Sequence, residues 1–119
     1  MAEEERERLG ISPEMSACIQ ANSDCYTAVS ETLNYCLGTD VLADPQHLRL
    51  LIDAAEVCQT TQNIMLRSSE LSIMLAAVCV EACETLAESC RALDGSDEQL
   101  MRCAETCDHT ADSCRRLAL

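Results

Sequence analysis

Six cysteines near the C-terminus fall into two copies of one spacing. Cys79, Cys83 and Cys90 read C-x3-C-x6-C; Cys103, Cys107 and Cys114 repeat it, and both copies end in Ser-Cys-Arg. On an α-helix, at about 100° per residue, steps of four, seven and eleven return a side chain to within about 40° of its start. Each copy therefore lines three thiols along one helix face. Rows of thiolate are soft donors, which select Cu(I), zinc or iron–sulfur clusters over hard ions such as magnesium. One sulfur can bridge two ions, so several thiols at one height permit a cluster. The close cysteine pairs of a zinc finger are absent.

The same template continues upstream. Cys25 and Cys36 stand eleven apart with Val29 in the middle position, and His47 and Cys58 stand eleven apart with Leu51 there. His47 thus occupies a place that holds cysteine elsewhere and joins the candidate ligands. Cys18 prolongs the line, followed by Met15 and Met65, whose neutral thioethers favour Cu(I) over zinc and fit a point of metal access.

Composition narrows the setting. Cysteine supplies 10 of 119 residues, a level that would mark a short secreted chain as a disulfide scaffold. The opening residues are charged where a signal peptide needs an apolar run, so the expected compartment is the reducing cytosol, where clustered cysteines bind metal or do redox chemistry. No stretch is long and apolar enough to cross a membrane. The formal charge of −13 argues against nucleic acid and anionic membranes as partners. There is no Trp or Phe, so the interior must be built from aliphatic side chains and cysteine, which suits closely packed helices.

Four helices are needed to position these residues. Residues 1–12 read as a disordered or short N-terminal segment, helical at most on the surface, and residues 13–119 as one metal-binding domain. Ser12, Pro13 and Glu14 give a helix start, and Gly38, suited to a left-handed terminal position, gives the stop, predicting a helix over 13–37. Its inward stripe is Met15, Cys18, Asn22, Cys25, Val29, Leu33 and Cys36. Asp44 and Pro45 start a second helix to about 67, with His47, Leu51, Ala54, Cys58, Gln62 and Met65 on one face. A break at Ser68 and Ser69 precedes a third helix over 70–93. Ser96 and Gln99 form a capping box for a fourth, from 97 to near 117. Short loops between such helices predict an all-α, antiparallel up-down-up-down four-helix bundle with a cysteine-lined interior.

Aligning the helices by their loops predicts two layers. One holds Cys36, His47, Cys90 and Cys103, and the other Cys25, Cys58, Cys79 and Cys114, about 16 Å away at a rise of about 1.5 Å per residue. Cys83 and Cys107 lie between them, and Asn22 and Gln62 face solvent at one end. His109 falls well off the thiol line, Met74 and Met101 lie off the stripe, and the carboxylates from Glu81 to Asp112 belong to a solvated face. No acid–base pair suggests catalysis, so an enzymatic role is not expected.

Laid out this way, the chain resembles the cysteine-rich four-helix-bundle copper storage proteins, in particular their cytosolic bacterial branch, over about residues 13–117. The resemblance implies many Cu(I) ions held inside the bundle by Cys18, Cys25, Cys36, Cys58, Cys79, Cys83, Cys90, Cys103, Cys107 and Cys114, with His47 at a common thiol position. It also implies a homotetramer. Asn22, Val29, Thr32, Ala54, Leu86, Leu100 and Thr110 stand where family members often have cysteine, which implies fewer ions, in separate clusters.

Two other chemistries fit the residues. An iron–sulfur cluster on Cys25, Cys58, Cys79 and Cys114 would make an electron carrier. A thiol redox buffer would bridge Cys79 to Cys83 and Cys103 to Cys107, although bridging i to i+4 in an intact helix is strained.

Overall fold

The computed structural model describes residues 2–118. Five α-helices follow one another: α1 (Glu3–Arg8), α2 (Pro13–Leu37), α3 (Pro45–Leu66), α4 (Ser72–Leu93) and α5 (Glu98–Ala118), with a 3₁₀ turn at Asp40–Leu42. The four long helices form a bundle about 48 Å in its longest dimension. α2 packs on α3 and α5, and α4 on α3 and α5, so helices consecutive in sequence are neighbours and run antiparallel. That is the expected up-down-up-down arrangement.

Local chemistry sets the helix starts. Ser12 Oγ accepts from the Met15 amide at 3.1 Å, and Asp44 Oδ2 accepts from the His47 amide at 3.0 Å, each ahead of a proline in the first turn. The start of α5 differs from the expected capping box. Asp97 Oδ1 accepts from the Leu100 amide at 2.9 Å, while Ser96 turns back to Asp94. Gln99 reaches across to Thr32 Oγ1 at 3.0 Å instead of folding onto its own helix end. Gly38 also departs from expectation. Its φ is −89°, and the chain leaves α2 through the 3₁₀ turn without a left-handed residue.

The left-handed positions are Gly10 (φ 76°) and Ser68 (φ 51°). Ser68 lies in the α3–α4 loop, where its hydroxyl donates to the Leu9 carbonyl. This tie seats the segment after α1 against the bundle end, and Ile11 is 4% exposed there. The same loop delays α4 to Ser72, two residues past the sequence-based start.

The interior is aliphatic and sulfurous. Leu51, Met65, Leu86, Leu100 and Val29 are fully buried, as are all ten cysteines. Burying one such aliphatic side chain contributes about 1.5–3 kcal/mol, so the core holds without aromatic residues. Two stripe positions differ by one residue from expectation: Thr32 and Thr61 are fully buried, while Leu33 and Gln62 sit at the edge. A stripe residue must lie within the arc that faces three neighbours, and near its margin the period of about 3.6 residues leaves adjacent positions nearly equivalent. Thr32 Oγ1 donates to the Ala28 carbonyl at 2.7 Å, which lets a hydroxyl be buried on the helix that carries it. Among the described residues, no helix is long and apolar enough to cross a membrane.

Candidate metal centre

Every cysteine points inward and none forms a disulfide. The centre of the column is a nest drawn from all four long helices. Cys25, Cys58 and Cys83 place their sulfurs within 4.8 Å of one another. Cys25 Sγ lies 4.0 Å from Cys83 Sγ and 3.9 Å from Cys107 Sγ. Above it, Cys79 Sγ is 3.9 Å from Cys83 Sγ, and Cys18 and Cys114 meet at 2.7 Å. Below it, Cys103 lies beside Cys107 and Cys90.

This register corrects the two-layer expectation. α4 and α5 face each other as predicted, with Cys90 by Cys103. α3 also keeps its expected level with α4, Cys58 beside Cys79, whereas α2 stands out of the expected register with α5. Cys25 meets Cys107 in place of Cys114, a shift of seven residues or roughly 10 Å at about 1.5 Å per residue. Cys25 therefore stands with Cys83 and Cys107 instead of with Cys79 and Cys114, and Cys114 joins Cys18. The sulfurs form a graded column in place of two layers. The four thiols considered for an iron–sulfur cluster, Cys25, Cys58, Cys79 and Cys114, are not brought together as one group.

Asn22 is the second correction. It was expected to face solvent, yet it is fully buried within the upper thiols. Its Oδ1 accepts from Cys79 Sγ at 3.0 Å, and its Nδ2 faces Cys114 Sγ at 3.4 Å. A polar amide tolerates this depth because its nitrogen and its oxygen both find sulfur or carbonyl partners. The stripe position of Asn22, four residues after Cys18 and three before Cys25, was the signal.

The remaining candidates fall at the two ends. Met65 is fully buried and Met15 half-buried, both at the end that Ile11 covers. At the other end, His47 is 1% exposed. Its Nδ1 lies 2.7 Å from Ser89 Oγ, whereas its Nε2 is buried without a hydrogen-bond partner. An imidazole oriented through one nitrogen, with the other unpartnered and Cys103 near the ring, has the arrangement of a ligand held by an outer partner. Ser89 was not singled out in the sequence because it lies off the thiol line. His109 is exposed and Met74 is 64% exposed, as expected.

Crowding sets the protonation of the sulfurs. Hydrogen bonds from Cys107 and Cys58 pull Cys25 below the ordinary thiol range. Cys107 and then Cys90 bring Cys103 down to about 3. The partners move oppositely: Cys58 is pushed up first by Cys25, and Cys107 first by Cys103. Burial pushes Cys36 up to about 11 and holds His47 below the usual imidazole range. The thiolate form is thus favoured at Cys25, Cys83 and Cys103, beside the S–H groups of Cys58 and Cys107, and the thiol form at Cys18, Cys79 and Cys114 toward the other end. Such a donor set fits a soft cation, which can replace the shared protons and bridge the same sulfurs.

The copper storage protein family profile matches residues 11–119. A protein of known crystal structure from Nitrosospira multiformis is 37% identical, with a TM-score of 0.80 over 88% of this chain and 94% of that one. The Cu(I)-bound copper storage protein BsCsp3 is 27% identical, with a TM-score of 0.81 over 89% of this chain and 99% of that one. A double histidine-to-alanine variant of Ccsp from Streptomyces lividans, 24% identical, shares the fold with a TM-score of 0.82 over 88% and 92% of the two chains. No curated protein sequence matches this one significantly. With its thiol-filled bundle and a family match across nearly its whole length, the chain belongs to the copper storage protein family.

Proposed function

We propose that this protein sequesters Cu(I) in the interior of the bundle and holds it as a reserve. The observation that carries the reading is the central nest, in which Cys25, Cys58 and Cys83 converge within 4.8 Å and continue into the other thiols on both sides. The ligands are Cys18, Cys25, Cys36, Cys58, Cys79, Cys83, Cys90, Cys103, Cys107 and Cys114. His47 supplies Nε2 at one end, and Met15 and Met65 supply thioethers at the other. Copper is cargo in this scheme. Each ion displaces protons from the sulfurs that take it, and passes between neighbouring thiolates without change of oxidation state.

The work is storage, with no catalytic step. The reducing cytosol suits it, since ten unpaired thiols survive there. A homotetramer is the assembly the family resemblance implies. Elemental analysis of protein purified anaerobically from copper-supplemented cells tests the reading. Several copper ions per chain, in excess of zinc and iron, is the expected result; a preparation rich in iron and sulfide would replace it with the electron-carrier reading.

A further inference from the structure

The Asn22 amide touches sulfur from three helices. Its Nδ2 donates to the Cys18 carbonyl at 2.9 Å and faces Cys18 Sγ at 3.5 Å and Cys114 Sγ at 3.4 Å. Its Oδ1 accepts from Cys79 Sγ at 3.0 Å. The Cys18 carbonyl can only accept a hydrogen bond, so it fixes which amide atom faces which sulfur. The N–H side is turned to the Cys18–Cys114 pair and the C=O side to Cys79.

This polarity treats the three sulfurs differently when metal arrives. A thiol that takes Cu(I) gives its proton to solvent and becomes an acceptor. For Cys18 and Cys114 the change suits the amide, because N–H to thiolate is a charge-assisted contact. For Cys79 it removes the proton that Oδ1 accepts, and leaves a buried carbonyl oxygen against an anionic sulfur with no donor. A cysteine at position 22 would add a ligand and impose no such asymmetry.

We propose that Asn22 is a positioning residue that sets the order of loading at this end of the column, directing Cu(I) to Cys18 and Cys114 before Cys79. The proposal rests on the copper-binding reading above. It makes the residue a determinant of sequence of filling, distinct from a ligand.

Anaerobic titration of the full chain with Cu(I) under a competing chelator, followed by alkylation of free thiols and peptide mass spectrometry, reads the order directly. Protection of Cys79 is expected at free Cu(I) on the order of tenfold higher than protection of Cys18 and Cys114, the effect of one unfavourable buried contact. In Asn22→Leu, checked for unchanged helical content, the three should be protected together while total capacity stays the same. Should that variant fail to fold, the order in the unaltered protein still decides. Cys79 protected with or ahead of the pair, or a folded Asn22→Leu variant with the order unchanged, would overturn the proposal. A chain that takes up no Cu(I) would overturn the storage reading as well, whereas uptake in another order would overturn this proposal alone.

Discussion

Cys18 and Cys114 stand 96 positions apart in sequence, yet their sulfurs lie 2.7 Å from each other across the α2–α5 interface. Both are fully buried and neither is in a disulfide. Two sulfurs so placed are one site for a soft ion, not two. Replacing Cys18 by serine, replacing Cys114 by serine, and replacing both should each remove the same single equivalent of Cu(I) from the titration endpoint. Loss of one equivalent by each single variant and two by the double would show that the sulfurs act separately.

The bundle also depends on the aliphatic side chains that fill the gaps in the thiol template. Leu86 is fully buried between Cys83 and Cys90 on α4. Leu86→Ala should destabilise the metal-free protein by about 2–5 kcal/mol, the transfer and cavity loss for a buried leucine. Urea unfolding followed by circular dichroism measures it. A loss below about 1 kcal/mol would mean that neighbouring thiols collapse into the space.

At the start of α5, Asp97 performs two tasks: Oδ1 caps the Leu100 amide and Oδ2 accepts from Tyr35 Oη at 2.6 Å. Asp97→Ala should cost about 0.5–2 kcal/mol. Ser96→Ala should cost little, because that hydroxyl bonds Asp94 and caps nothing. The reverse ranking in thermal melts would restore the capping box expected from the sequence.

His47 gives the metal-free protein a pH dependence. Burial holds its folded-state pKa below the ordinary value of about 6.5. The unfolded chain therefore binds the proton more readily as pH falls below that value, so stability is lost on acidification through this window until the folded pKa is also passed. Urea midpoints should fall between roughly pH 6.5 and lower pH, and His47→Gln should flatten that part of the curve. Equal slopes in both proteins would assign the effect to other groups.

Much of the architecture was legible from the chain alone, for reasons particular residues make plain. Ser12 with Pro13 and Asp44 with Pro45 fix helix starts through local chemistry, and the eleven-residue recurrence of cysteine fixes which face turns inward. The register of α2 against α5 was not legible. It rests on packing between residues far apart in sequence, such as Cys25 with Cys107, 82 positions away. Asn22 was seen on the stripe but misread as solvent-facing, because its burial is tolerable only once Cys79 and Cys114 are brought to it from other helices. Ser89 was missed for a like reason: its role exists only when His47 arrives beside it.

Anaerobic titration of the metal-free protein with Cu(I), monitored by thiolate-to-copper charge-transfer absorption and by counting reactive thiols, addresses the central claim most directly. The account predicts uptake of several ions per chain, absorption rising with each until saturation, and ten thiols progressively withdrawn from reaction. Saturation at one ion or none, with the thiols still reactive, would contradict it.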